Sequence, residues 1–446
     1  MLAGEACAQS VVVAPTVGLA QGEVATPTGT GIEVEPQVVM PVQFDWTQFD
    51  SVPSGLTMGS RTSAANARID SFMDQRFDAR SSLRNNFTDF PGFEGGLTVV
   101  SESAALKIGG FVKADLIADF DPISSTDTFD TGTIEIGSAD RRNARFHARQ
   151  TRLSFDTRWK TSGDIARAFI EVDFFGDRTG SNDALRLRHA YGRLGNLTVG
   201  QTWTSFTDPS AVPQTLDFEG AVSNVNRRQG LVRYQTPLAI DGLSLAASIE
   251  NPRVLIEIPA GVQGSVRTET PDFVSRVRFE RDWGEFQIAG VLRELGFQPV
   301  GQPVVTGTAW GFNFTGSARS SDRFKAYYQI TFGEGVGSYR GSPDVVATSK
   351  TTAEILPVFG WMVGFKYSWL PSLTSNVTYS ELHADTIAGQ AADNLLETSY
   401  FAVNLIQNPY DRVFWGAEYL HGFRQNQSLA SATATRLQFS CGFYLP

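Results

Sequence analysis

The chain has 446 residues, a net charge of -10, 41% hydrophobic residues and a mean hydropathy of -0.14. The acidic balance argues against a nucleic-acid partner, since no basic face offsets repulsion from phosphate. No stretch approaches the roughly 20 apolar residues of a spanning helix, and two cysteines, Cys7 and Cys441, give neither a disulfide framework nor a zinc site.

In chain order, Ala6, Cys7, Ala8 and Gln9 read as a signal-peptidase site of the small-x-small type. Residues 1–8 are therefore expected to be a remnant of a secretory leader, with the mature chain starting near Gln9. Residues 9–104 read as a tether. Up to about residue 60 it is rich in Val, Pro, Thr, Gly and Glu with no period. Ile69, Phe72, Met73 and Phe77 then recur at helical spacing, which predicts a short helix over 64–83. The run from Phe90 to Phe93, through Pro91 and Gly92, breaks it.

From residue 105 to the C-terminus the period changes to 2. The odd positions Phe359, Trp361, Val363, Phe365 and Trp369 are bulky and apolar, and Leu437, Phe439, Cys441 and Phe443 repeat the pattern against polar or small neighbours. Alternation puts one face towards an apolar medium and the other towards a polar one. About sixteen such segments follow one another: 105–120, 143–157, 164–175, 184–194, 196–203, 228–236, 242–250, 273–281, 284–294, 307–319, 322–333, 357–370, 373–382, 397–407, 410–421 and 433–444. Tight turns, such as Gly195-Asn196 and Pro371-Ser372, alternate with long loops near 121–142, 204–227, 251–272, 334–356, 383–396 and 422–432.

This pattern predicts an all-β fold: a 16-stranded antiparallel transmembrane barrel of the porin type, residues 105–446, with an N-terminal periplasmic extension. Hydrocarbon offers backbone groups no partners, and a closed sheet pairs them all without an edge. The 42 Gly and 32 Phe suit tight turns and a lipid-facing surface. Trp159, Trp203, Trp283, Trp310 and Trp369 fall near strand ends, where rings meet headgroups. A soluble propeller would need a fixed repeat, and none is present. The location implied is the outer membrane, with its lipid as surroundings.

Parity then sorts the arginines. Leu153 and Phe155 outside put Arg152 inside. Leu185, Leu187 and Tyr191 outside put Arg186 and Arg188 inside, and His189 towards lipid. Val232 and Tyr234 place Arg233 inside, and Phe273, Val277 and Phe279 place Arg276 and Arg278 there. Arg167 follows by the same reasoning. These seven form an expected pore-lining basic ladder. Arg145 and Arg149 have the wrong parity, so either a bulge intervenes or they lie above the membrane. The long connection 204–227 is expected to fold inward as a constriction loop. Its Asp208, Asp217 and Glu219 would then face the ladder and set up a transverse field. Arg is always charged, and its planar fork suits a carboxylate.

Particular stretches also resemble a known family. Ala148 to Phe155 (ARQTRLSF), Phe169 to Gly176 (FIEVDFFG), Leu187 to Gly192 (LRHAYG), Val199 to Trp203 (VGQTW) and Ile108 to Lys113 (IGGFVK) are similar to segments of the DcaP-like trimeric outer-membrane porins. The resemblance is specific from about residue 87 to 234. It implies a sixteen-stranded homotrimer that passes small anions, dicarboxylates among them.

The expected function is passive diffusion of small hydrophilic solutes with a preference for anions. The alternative is a structural or adhesive surface protein with a barrel anchor and a plugged lumen. An enzyme is not expected, because the four histidines, His147, His189, His383 and His421, join no Ser/His/acid set. No cofactor or metal is expected. The tether leaves room for a periplasmic partner.

Overall fold

The computed structural model describes residues 97–101, 103–176 and 184–445. The leader remnant, the helix over 64–83 and most of the tether lie outside the described residues.

Each segment anticipated from alternation is a stave of one closed wall. In chain order the staves are Ala104–Asp119, the pair Asn143–His147 and Arg152–Lys160, Ile165–Asp173, Arg186–Leu194, Leu197–Trp203, Arg228–Pro237, Leu243–Glu250, Asp272–Arg281, Gly284–Pro299, Val305–Ser321, Phe324–Glu334, Pro357–Leu370, Leu373–Ala384, Leu395–Tyr410, Val413–Asn426 and Ser431–Tyr444. Among the described residues this is a 16-stranded antiparallel barrel. Closure is visible at Phe111, which lies opposite Arg152 on one side and Tyr444 on the other. The short segment Leu97–Val100 continues the line of the last stave below Tyr444, pairing Leu97 with Ile108. It extends the seam where the C-terminus stops.

The outer face follows the period of 2. Phe359, Phe365 and Trp369 are exposed, while Gly360, Met362 and Gly364 between them are buried towards the lumen. Those glycines serve a close approach: a Cβ at Gly364 would overlap Pro213 of the 204–227 loop, and one at Gly360 would crowd Ser223.

Two irregularities change parity: the first is the break that was one of the two alternatives for Arg145 and Arg149, and the second corrects an expectation. The chain leaves the ladder at residues 148–151, where Thr151 N–H donates to the Ala148 carbonyl at 3.0 Å. Positions 143, 145, 147 and 149 therefore face inward above the break, and 152, 154 and 156 below it. Arg145 and Arg149 thus face the lumen, where both bind Asp127, at 2.7 and 2.6 Å. The second is a bulge in Arg186–Leu194, where the register slips between Glu171 and Val172 of the neighbouring stave. An extra residue in one strand turns two consecutive side chains to the same side. Arg188 and His189 are both buried, and Tyr191 lines the lumen. His189 and Tyr191 are thus not lipid-facing.

The wall is uneven in height. From Ile165–Asp173 to Leu243–Glu250 the staves have 7 to 10 residues. Gly284–Pro299, Val305–Ser321 and Leu395–Tyr410 have 16, 17 and 16. Long loops fill the lumen behind the tall arc. The 120–142 loop brings Ile123, Phe129 and Ile134 against Tyr400, Leu420 and Ala434 on lumen-facing wall positions. Segments 256–257, 345–347 and 353–355 form a separate three-stranded sheet. Arg293 clamps this region from the wall, bonding Asp272 at 3.1 Å and Asp344 at 3.1 Å with all three side chains buried.

Candidate functional site

The 204–227 loop runs around the inner wall, held mostly through its backbone. Strand side chains donate to its carbonyls: Asn313 to Phe206 at 2.8 Å, Gln329 to Ser223 at 2.8 Å, Asn404 to Gln214 at 2.9 Å and Gln438 to Leu216 at 3.0 Å. Its N–H groups at Leu216 and Asp217 donate to Glu418 Oε2 at 2.9 and 2.6 Å. The attachments stretch from Leu243–Glu250, where Glu250 accepts from the Ser205 N–H at 2.9 Å, round through Ser431–Tyr444 to Lys113 of the first stave, and include the arc that carries the other inward loops. The arc from Arg152–Lys160 to Arg228–Pro237 is left facing open space.

That space is a cavity of about 930 Å³. It begins beside the loop and opens towards the rim of short turns, where Asp322, Pro371 and Asp411 border it. Among the described residues, eleven Lys and Arg line it against five Asp and Glu, so its wall carries net positive charge.

Three of the seven expected ladder residues, Arg152, Arg186 and Arg188, meet in the cavity wall. Arg186 bonds Asp173 at 2.7 Å, and Arg188 bonds Glu171 at 2.5 Å and Asp173 at 2.8 Å. The Arg152 Nη1 lies 4.0 Å from Glu171. The other four do not line the cavity. Arg167 joins Arg158 on Asp156. Arg233 donates to the Trp203 carbonyl at 3.3 Å, and Arg276 to Gln235 at 3.1 Å. Arg278 sits under the start of the inward loop and bonds Asp208 at 2.9 Å and also Glu285.

Parity missed a fourth guanidinium. Alternation counted from Val232 and Tyr234 assigns position 228 to the outer face, yet Arg228 lines the cavity. It is the first residue of its strand, where the chain turns in from the loop and alternation no longer governs direction. Its guanidinium lies 4.5 Å from the centre of the Trp203 ring. Among the described residues no carboxylate is within ion-pair distance of it. His189, which bonds the Thr202 hydroxyl at 3.0 Å, lies beside Trp203.

The three loop acids are each engaged rather than bare. Asp208 is an anchor turned to the wall, accepting from Arg278 and from Thr315 at 2.6 Å. Burial pushes its carboxyl up, but Arg278 and the hydroxyls of Ser210 and Thr315 outweigh burial and hold it at about 2. Asp217 accepts from the Phe129 N–H at 2.9 Å and the Gly220 N–H at 2.8 Å, tying the two inward loops together. Burial raises its pKa. Glu219 lines the cavity but pairs with Arg340 at 2.8 Å. At the long-loop end, Phe218 of the loop stacks on Phe175 with ring centres 4.2 Å apart. The Arg186 guanidinium lies over both rings, at 5.2 and 5.4 Å. The cavity wall is therefore basic and aromatic where loop meets wall.

A family model described as DcaP outer membrane protein matches residues 95–443. The chain belongs to that family. Its fold is similar to the outer membrane channel DcaP of Acinetobacter baumannii, at 24% identity and a TM-score of 0.71, covering 79% of this chain and 100% of that one. OmpF of Salmonella typhi, solved with daunomycin, matches at 11% identity and TM-score 0.54, covering 78% and 100%. An anion-selective porin from Comamonas acidovorans matches at 11% and TM-score 0.50, covering 77% and 100%. No match is found among curated proteins. Family and fold together make this chain an outer-membrane porin.

Proposed function

We propose that the barrel is a passive channel for small hydrophilic solutes that favours anions, dicarboxylates among them. The observation that carries this reading is the charge of the cavity wall, eleven basic residues against five acidic ones. The whole chain is acidic, but exposed charges further than roughly 8–10 Å are screened by salt. Selectivity is set where the passage is narrow and the wall has a low dielectric. There Arg152, Arg186, Arg188 and Arg228 cluster around only two wall acids, Glu171 and Asp173. Planar guanidinium groups present paired donors to a carboxylate. The partial neutralisation by Glu171 and Asp173 keeps binding weak enough for a solute to leave. No chemistry on the solute is required. The test is the reversal potential of the purified protein in a salt gradient. Anion preference is expected in the wild type and a marked loss of it in Arg186→Ala with Arg188→Ala. Cation preference in the wild type, or an unchanged double variant, overturns the reading.

We further propose that three copies assemble, through the low arc of the wall. A spanning strand needs about 9–11 residues, yet Leu197–Trp203 has 7 and Leu243–Glu250 has 8. Leu197, Val199, Val232 and Ile249 still present an apolar outer face there. Neighbouring copies would shield a wall too low to face lipid alone. Native mass spectrometry of detergent-extracted protein should give a trimer, and a monomer would refute it.

A further inference from the structure

The last part of the inward loop crosses the lumen from one side to the other. The Ser223 carbonyl accepts from Gln329 on Phe324–Glu334 at 2.8 Å, and Arg228 lies directly opposite Trp203 on the low arc. Backbone bonds hold the crossing. The Asn224 N–H donates to the Ala221 carbonyl at 3.1 Å, the Asn226 N–H to the Tyr339 carbonyl at 3.3 Å, and the Thr204 N–H to the Arg227 carbonyl at 3.1 Å. The side chains divide between two directions. Arg227 turns away from the cavity, donating to the Ser338 hydroxyl at 2.7 Å and the Arg253 carbonyl at 3.1 Å. Asn224, Asn226 and Arg228 line the cavity.

Asn224 is only 7% exposed, yet its Oδ1 has no hydrogen-bond partner among the described residues. A buried acceptor left unpaired carries its desolvation cost, which is recovered when a donor reaches it. Arg228 rests on the Trp203 ring at 4.5 Å, and among the described residues no carboxylate takes up its N–H groups. Arg186 and Arg188 differ, since Asp173 and Glu171 hold them. A cation and an unpaired neutral acceptor thus stand at the two ends of one short stretch of chain, on the same cavity. Four residues of chain span at most about 14 Å, so a small elongated solute can touch both.

We propose that Arg228 and Asn224 form a subsite for hydroxylated carboxylates, the class to which sugar acids belong. The carboxylate pairs with the planar fork of Arg228, and a hydroxyl further along the carbon chain donates to the Asn224 Oδ1. Asn226, between them in the chain, brings a second carboxamide to the cavity. A hydroxyl both donates and accepts, and so does a carboxamide, so amides in sequence match hydroxyls in sequence. A carboxylate with a bare hydrocarbon chain gains the charge contact alone and leaves the Asn224 oxygen unpaired. The inference rests on the anion-favouring reading of the cavity and narrows it from charge to the hydroxyl groups of the solute.

The experiment is block of chloride current through single channels of the full chain by gluconate and, separately, by hexanoate, which has the same carbon chain without hydroxyls. Asn224→Leu keeps the size of the side chain and removes its amide. It is expected to raise the gluconate block constant about fivefold, the loss of one hydrogen bond, while the hexanoate constant changes less than about twofold. Arg228→Gln is expected to weaken both solutes together, and Arg228→Lys to restore both in part, which separates lost charge from a disturbed loop. An equal change for the two solutes in Asn224→Leu, or no change for gluconate, overturns the subsite. So does gluconate block that survives Arg228→Gln. The reversal potential in a chloride gradient reads the charge of the cavity with no hydroxyl present. Cation preference there sinks the anion reading, whereas the difference between gluconate and hexanoate reads this subsite, so the two fail separately.

Discussion

The two sides of the lumen satisfy their polar strand faces in different ways. Behind the tall arc, from Val305–Ser321 to Ser431–Tyr444, loop backbone is laid against the wall. Asn313, Gln329, Asn404, Glu418 and Gln438 each bond a peptide group of the inward loop. Nearer the long loops, the side chains of Ile123, Phe129 and Ile134 seal against Tyr400 and Leu420. From Arg152–Lys160 to Arg228–Pro237, among the described residues, no strand side chain bonds the loop backbone in this way. Arg152, Arg186, Arg188 and Arg228 keep their charge beside open space, balanced in part by Glu171 and Asp173. Buried polar groups need partners. One side finds them in a folded loop and is sealed, and the other finds them in side-chain ion pairs and in whatever fills the channel. A pore thus results from leaving one arc uncovered.

The comparison breaks most visibly if the loop goes. Replacing residues 209–219 by a short Gly-Ser turn removes the inner wall of the passage. Conductance of single channels is expected to rise about threefold or more, because the constriction sets the flow. An unchanged conductance would mean that the loop is not what narrows the channel.

A smaller effect is expected on the sealed side. Arg293→Met leaves the buried carboxylates of Asp272 and Asp344 without their shared cation. Breaking a buried pair in this way costs about 3–5 kcal/mol. The midpoint of urea unfolding in detergent should fall, while the reversal potential stays at its wild-type value. A shift in selectivity without loss of stability would show that the two sides are not independent.

The smallest effect sharpens the loop's own two ends. The Asp208 carboxyl is held at about 2 in the folded protein, below its ordinary 3.8. Its stabilising contribution is therefore present above 3.8 and lost as pH falls towards 2. By linkage that is about 2 kcal/mol. Asp217 runs the other way: its pKa is raised, so its contribution is present below 3.8 and is lost as pH rises through the folded value. Acid should therefore free the Arg278 end of the loop. Flicker between conductance levels is expected to increase from pH 4.5 to 2 in the wild type, with that acid-dependent part absent in Asp208→Asn. Equal flicker in both would remove Asp208 as the anchor.

Much of this was legible in the residues. Strand positions were readable because lipid on one face and polar contents on the other force a period of 2 on every stave. Parity carried Arg152, Arg186 and Arg188 to the lumen for the same reason. It could not follow the chain through the break at 148–151 or the bulge at Arg188 and His189, since a single extra residue reverses every later assignment. Arg228 escaped because it begins its strand.

By itself the sequence determined the barrel, its sixteen staves, the inward turn of most arginines and a family resemblance confined to particular strands. Those follow from local periodicity, which the solvent on each face imposes residue by residue. Only the tertiary structure decided which lumen-facing charges share a space. Asp208, Asp217 and Glu219 were expected opposite the ladder, yet Asp208 was spent anchoring the loop to Arg278, Asp217 in binding the Phe129 and Gly220 backbone, and Glu219 in pairing with Arg340. Those partners lie from 3 to 121 residues away along the chain. Long-range pairing depends on how the loops fold back into the barrel, and no short stretch of sequence records that.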